Sequence, residues 1–422
     1  MSSPTGASRR SAVPPFAVMT VLQRVAEARA AGREVISLCA GEPSQGAPSD
    51  VRRRLAELMI DRTPLGYSET FGLTSLRRAI AQHYRRWYDL EVPIEQIAVT
   101  TGSSGAFLVS FLAAFDVGDR VLLARPGYPA YRNILRSLGC EVVELPCGPS
   151  ERFQPTRALL DAALRDGPVA GLVLASPANP TGTMIDHDQL ADLAGWCRDH
   201  GVRLVSDEIY HGIVDASHAE RVGVGCCAWQ HDRSAVIISS FSKYAGMTGW
   251  RLGWALVPDD LVAAIDALAG NYALCAPVPA QHAAIEAFTE NSYAEAETAV
   301  REFAAARSLV LDAVDDLGWT RVAPADGAFY VWADIAGRLG PYPDSVAWCA
   351  ALLDAEDVAV TPGPDFDTVD GGTAIRLSLA AGPEAIAAAL LRIRRFQQAI
   401  GRSDPTRSRS PAALRSARPG SR

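Results

Sequence analysis

Lys243 stands in the run Ser239-Ser240-Phe241-Ser242-Lys243-Tyr244-Ala245-Gly246-Met247-Thr248-Gly249-Trp250-Arg251, behind an apolar segment and among small and aromatic residues. Partial burial of a lysine lowers its pKa and frees the amine for imine chemistry. The flanking sequence is too apolar and glycine-rich for a solvated helix face. Arg251 and the hydroxyl of Ser240 add donors suited to an anion such as a phosphate. Upstream, Thr100-Thr101-Gly102-Ser103-Ser104-Gly105-Ala106 follows one apolar run and opens another. A helix starting there offers unpaired N–H groups, a positive dipole end and hydroxyls, while glycine allows close approach of an anion. Taken alone, it equally describes an ordinary serine-capped helix.

Two more segments carry chemistry. In Ala175-Ser176-Pro177-Ala178-Asn179-Pro180-Thr181-Gly182 the prolines hold Asn179 rigidly, so its amide can make one aimed hydrogen bond; a plain Asn-Pro turn fits as well. In Leu204-Val205-Ser206-Asp207-Glu208-Ile209-Tyr210 a carboxylate ends an apolar run. Buried there, Asp207 needs a positive partner, such as a protonated ring nitrogen, unless it simply caps the next helix. Tyr210 can point its hydroxyl the same way.

These residues need a scaffold that brings them together. Strands are expected at 97–100, 120–124, 141–145, 171–175, 203–206, 235–239 and 253–257, with helices at 104–115, 131–138, 157–165, 187–200 and 259–269. Such alternation, with nearly unbroken apolar strands, indicates an α/β fold with a mainly parallel sheet covered on both faces. Open sheets of this kind bind ligands beyond the carboxyl ends of their strands, where each segment above falls. A long helical stretch from about Ala280 to Val314 follows, then strands near 327–334 and 374–379 in a smaller α+β unit. The expected division is a flexible 1–13, an arm at 14–46 that joins the small domain, a large domain at 47–290, a small domain at 291–400 and a disordered basic tail at 401–422.

In order and spacing these motifs resemble the fold-type I pyridoxal-phosphate (PLP) enzymes of the aspartate aminotransferase-like, class I/II aminotransferase group. The resemblance spans roughly Val13 to Ile400, and the Ser-Phe-Ser-Lys-x-x-x-Met-Thr-Gly-Trp-Arg run carries most of it. It implies that Lys243 holds pyridoxal 5'-phosphate as a Schiff base and shuttles a proton. Asp207 would pair with the ring nitrogen, Asn179 and Tyr210 with the ring hydroxylate, and Tyr128 would stack on the ring. Gly102, Ser103, Ser104, Ser240 and Arg251 would surround the phosphate. Tyr67 would reach the neighbouring subunit's phosphate, which implies a homodimer with shared sites. Arg376, in Ala374-Ile375-Arg376-Leu377-Ser378, would grip the substrate carboxylate with Gly41 and Asn179 beside it. The activity implied is ping-pong transfer of an amino group from an α-amino acid to a 2-oxo acid. C–S lyases, cyclases, decarboxylases and oxidases of the same fold keep the same cofactor residues and remain the alternative. The chain departs from the group at Asn271-Tyr272-Ala273-Leu274-Cys275-Ala276-Pro277, where relatives are richer in Thr and Ser. No arginine can be assigned to a second substrate carboxylate, which points toward small or apolar side chains.

Composition narrows the classes further. The 422 residues are 48% hydrophobic and 21% charged, with net charge −8. The length exceeds one ordinary core and favours two domains. The charge gives no general pull toward nucleic acid or an anionic membrane. No run approaches the about 18 apolar residues of a membrane span, and the N-terminus lacks a signal-peptide apolar region, so a cytoplasmic location is expected. Eight cysteines show no metal-ligand spacing, and no metal is expected.

Overall fold

The computed structural model describes residues 6–402. The tail expected at 401–422 therefore lies, from 403 onward, outside the described residues, as do residues 1–5 of the N-terminal segment.

Seven strands form the principal sheet, in the spatial order Ile97–Thr100, Gly253–Leu256, Val236–Ser240, Arg203–Asp207, Gly171–Ala175, Arg120–Arg125 and Glu141–Pro146. Successive side chains on a strand face opposite ways, and here both faces are buried. Val121, Leu123, Val173, Val205 and Ile238 belong to one apolar cluster, whereas Leu122, Leu172, Leu174, Leu204 and Ile237 belong to another. This two-sided burial is why the strands read as unbroken apolar runs.

The sheet is parallel except for Gly253–Leu256, which runs antiparallel to both neighbours. Only residues 241–252 separate that strand from the preceding one, Val236–Ser240. A parallel return needs a crossover of a dozen or more residues, usually a helix, and this segment carries only the 3-10 turn Thr248–Trp250. The reversed strand has a functional consequence. It brings its starting residue, Gly253, level with the end residues Ser240 and Thr100 of its neighbours. Arg251, just before it, therefore sits at the same edge as the segments following 97–100 and 236–240.

A smaller antiparallel sheet, ordered Thr361–Pro362, Ala374–Ser378 and Tyr330–Asp334, lies downstream. Ile36–Ser37 pairs in parallel with Val358–Ala359, 322 residues away for Ile36 and Val358. Arg33 donates to Asp357 and Arg24 to Asp354, so charge pairs flank that short ladder.

The helix expected from 280 to 314 is interrupted. Val278–Ala284 passes into the 3-10 turn Ile285–Phe288, and the long helix begins afresh at Glu290–Asp312. Between them Thr289 is extended, at φ −74° and ψ 156°, and its hydroxyl accepts from the Ser292 N–H at 3.2 Å. A threonine side chain that caps a helix competes with the backbone pattern that would continue one. Periodicity alone does not register that competition.

Candidate active site

The five motif segments converge because the sheet makes them. Residues 100–104, 128, 179, 207–210 and 242–243 follow the carboxyl ends of parallel strands, so all emerge at one edge. Ser103, Ser104, Tyr128, Asn179, Asp207, Tyr210, Lys243, Arg251 and, from the smaller sheet, Arg376 line a single cavity of about 520 Å³.

At one end is the helix Gly102–Ala114. Gly102 has φ +67°, a region that L side chains rarely adopt. A Cβ there would lie 2.5 Å from Arg251 Nη2. Arg251 itself is left-handed, at φ 51° and ψ 50°, and its Nη1 donates to Thr248 O at 2.9 Å. Glycine and a sterically unusual arginine thus form a cradle of backbone N–H groups, hydroxyls and a guanidinium. That donor set suits a phosphate.

Ser240 is placed differently from its neighbours. Its buried hydroxyl donates to Ser242 Oγ at 2.8 Å and lies 3.2 Å from Leu252 O. Ser242, rather than Ser240, lines the cavity. Tyr67 is also away from the cavity, 84% exposed on the surface of this subunit.

Lys243 donates to Gly41 O at 2.5 Å, and its ammonium lies 5.7 Å from the centre of the Tyr210 ring. Burial, followed by repulsion from Arg376, lowers its pKa to about 8, against an opposing pull from Asp207. Asp207 lines the same cavity. Burial pushes its pKa to about 6 despite hydrogen bonds from Tyr131 and the Ile209 N–H and the attraction of Lys243.

The lysine shift has a measurable effect on folding. Its folded pKa lies below the unfolded value, so the penalty for burying the ammonium is fully present below pH 8 and fades by about pH 10.5. Lys243→Met keeps the bulk and removes the charge. The cofactor-free variant is expected to be more stable than the parent by about 2 kcal/mol at pH 7, after loss of the Gly41 hydrogen bond. Thermal unfolding at pH 7 and 10.5 checks this, with the advantage present at the first pH and absent at the second.

Opposite the lysine, Arg376 is 4% exposed on the middle strand of the small sheet. Nη1 donates to Asn179 Oδ1 at 2.9 Å and Nη2 to Cys39 O at 2.7 Å. Its guanidinium carbon lies 4.5 Å and 4.7 Å from the ring centres of Tyr330 and Phe366. Among the described residues no carboxylate comes within ion-pair distance, and the buried Nε has no partner. A buried cation without an anion is costly, and this one faces a cavity. The arrangement can receive a carboxylate. Segment 39–41 spans both cations, one carbonyl holding Arg376 and another holding Lys243. Gly41 is required there, because a Cβ would lie 2.9 Å from the Tyr330 hydroxyl.

Three contributions escaped the sequence reading. Tyr330 hydrogen-bonds Tyr210, hydroxyl to hydroxyl, at 2.9 Å. Tyr131 donates to Asp207 Oδ2. Phe16, Val18, Met19 and Leu22, from the chain entering and forming the helix Ala17–Ala30, give the cavity an apolar wall with Ile134. Tyr131 lies three residues beyond Tyr128 and was open to notice; residues 16–22 show only helical periodicity.

An open α/β sheet with a buried lysine and an anion cradle at its carboxyl edge, faced by an arginine of the small sheet that has no carboxylate partner among the described residues, fits a cofactor-using enzyme of amino-acid type. A family model for aminotransferase class I and II matches residues 33–393, and the chain belongs to that family, which uses PLP. A valine–pyruvate aminotransferase of Mycobacterium tuberculosis is 50% identical over 91% of this chain and 96% of its own. An aspartate/prephenate aminotransferase of Thermus thermophilus is 33% identical over 94% and 100% of the two chains. Among solved structures, an aminotransferase from M. tuberculosis superposes with TM-score 0.88 at 48% identity, covering 93% of this chain and 99% of that one. The T. thermophilus aspartate aminotransferase with maleate gives 0.85 at 32% identity, covering 92% and 99%. The chain is an aminotransferase.

Proposed function

We propose that this aminotransferase holds pyridoxal 5'-phosphate on Lys243 and moves the amino group of an aliphatic α-amino acid, valine foremost, to a 2-oxo acid such as pyruvate. The observation that carries the reading is the buried Arg376 guanidinium, without a carboxylate partner among the described residues, lining the same cavity as Lys243. A group that presents an amine to the lysine and a carboxylate to the arginine is an amino acid. The apolar wall of Phe16, Val18, Met19, Leu22 and Ile134 supports a hydrocarbon side chain, in keeping with the name of the half-identical relative.

The residues present suit the cofactor. Ser103, Ser104, the N–H groups at Gly102–Ser104 and Arg251 would hold its phosphate, with Ser240 fixing Ser242 at the edge. Asp207 would take the ring nitrogen, and Tyr128 would cover a ring face. Asn179 keeps its Nδ2 hydrogens for the ring oxygen while its Oδ1 is occupied by Arg376; Tyr210, backed by Tyr330, would donate to the same oxygen. When bound, the cofactor supplies an electron-withdrawing ring that accepts the electron pair left by a departing α-proton.

The chain's own part is to position and to move protons. Arg376 orients the substrate by two parallel hydrogen bonds to its carboxylate. Lys243, with its pKa lowered to about 8, offers a free amine to the α-proton and returns the proton from the same nitrogen. Asp207, ionised above about pH 6, sustains the positive ring. Because one site serves donor and acceptor in turn, ping-pong kinetics follow.

We assign residues 14–46 and 291–400 to one small domain and 47–290 to the large one; the pairing of Ile36 with Val358 and the helix start at Glu290 support that division. Exposed Tyr67 is read as a donor to the site of a second copy in a homodimer. No described helix is long and apolar enough to cross a membrane, in keeping with a cytoplasmic enzyme. Borohydride reduction of the loaded protein, followed by peptide mass spectrometry, tests the anchoring: the cofactor mass is expected on Lys243, and its attachment to another lysine would refute it.

A further inference from the structure

Asp207 is 3% exposed at the end of the strand Arg203–Asp207, and two groups donate to it. The Ile209 N–H reaches Oδ1 at 3.1 Å, and the Tyr131 hydroxyl reaches Oδ2. Tyr131 belongs to the helix Pro129–Leu138, 76 residues earlier in the chain, so the bond exists only through the fold. Its ring is wedged between Phe107, at 4.9 Å between centres, and Tyr128, edge-on at 5.3 Å. Burial keeps the phenol protonated and therefore a donor. Lys243, Tyr210, Tyr128 and Glu208 are the other titratable side chains whose charges interact with Asp207. None of them is hydrogen-bonded to it among the described residues, and Lys243 is held by Gly41 O.

We propose that Tyr131 is a positioning residue which, by donating to Asp207 Oδ2, keeps that carboxylate ionised and aimed so that the bound ring nitrogen retains its proton. This rests on the reading that Asp207 meets the ring nitrogen of PLP. A carboxylate and a pyridine nitrogen share one proton, and its location depends on which base is better stabilised without it. A donor on the far oxygen stabilises the carboxylate and sends the proton to the ring. In a buried site no water replaces a lost donor, so the phenol has a large say. Two occupied oxygens also fix the plane of the carboxylate and leave its remaining lone pairs for the ring.

The test uses the full-length protein loaded with PLP labelled with 15N in the ring, and with the analogue in which carbon replaces that nitrogen. In the parent, the 15N chemical shift is expected at the protonated value. Tyr131→Phe keeps the ring packing and removes the hydroxyl. It is expected to move the shift toward neutral pyridine and to weaken PLP on the order of tenfold, leaving affinity for the carbon analogue unchanged. An unchanged 15N shift, or equal weakening of both ligands, overturns the proposal. Protein carrying 3-fluorotyrosine at 131, a stronger donor of nearly the same shape, is a second variant that stays informative if Tyr131→Phe does not fold. It is expected to favour PLP over the analogue more than the parent does, and no change in that preference overturns the proposal. Failure of the parent itself to bind labelled PLP would instead sink the reading of the site as a cofactor site.

Discussion

Lys243→Ala is expected to bind the cofactor weakly and to lower kcat by about 10,000-fold or more, with little change in the fold. General acid–base catalysis by one placed group supplies about 100- to 10,000-fold, and this lysine also provides the covalent anchor. Its surroundings explain why nothing substitutes for it. The other two cations lining the cavity, Arg251 and Arg376, are guanidiniums, which offer hydrogen-bond donors only and no base for the α-proton. Asp207 is committed to Tyr131 and the Ile209 N–H. Adding a small primary amine should restore part of the rate, in proportion to the amine's basicity, because only the amine is missing. Steady-state kinetics with and without methylamine measures this. A variant that retains a tenth of parental kcat would contradict the role given to Lys243.

The second large effect is expected at Arg376. Arg376→Lys should raise KM for amino acid and for 2-oxo acid alike, lowering kcat/KM for both half-reactions. Truncating one partner of a buried, hydrogen-bonded charge pair costs ~2–5 kcal/mol, or roughly 30-fold to several thousand-fold. A lysine cannot reproduce the fork. It would forgo the simultaneous bonds to Asn179 Oδ1 and Cys39 O that fix the present side chain, and the stacking against Tyr330 and Phe366. The loss should be the same for valine and for alanine, since both present one α-carboxylate. Cofactor absorbance should be unchanged. Loss of activity toward one substrate only would assign Arg376 to the side chain instead.

Much of this site was legible because the fold is a parallel sheet. Apolar runs such as Gly171–Ala175 identify strands, and parallel strands send all their carboxyl ends to one edge. The residues just after those ends, Ser103, Asn179, Asp207 and Lys243, must then be neighbours, whatever the details. The antiparallel insertion of Gly253–Leu256 was not written in its composition; it goes with a twelve-residue connection that carries no crossover helix. What stayed hidden depends on contacts across long separations. The carbonyl of Cys39 holding Arg376 links residues 337 apart, and the apolar wall at residues 16–22 exists only because that helix docks at the cavity. Ser240 shows the converse: its position in the motif suggests a phosphate donor, yet its hydroxyl is turned to Ser242 and Leu252. The break at Thr289 was legible as a capping threonine, but helical periodicity on both sides masks it.

The most direct test of the central claim is a single half-reaction. PLP-loaded protein is mixed with excess L-valine in the absence of any 2-oxo acid, and the products are counted per subunit. An aminotransferase is expected to release one equivalent of 2-oxoisovalerate, retain the amino group on its cofactor, and stop until pyruvate is added. Continued turnover without an acceptor, with release of ammonia, carbon dioxide or peroxide, would contradict the account and place the chain among enzymes that use the same site for a different reaction.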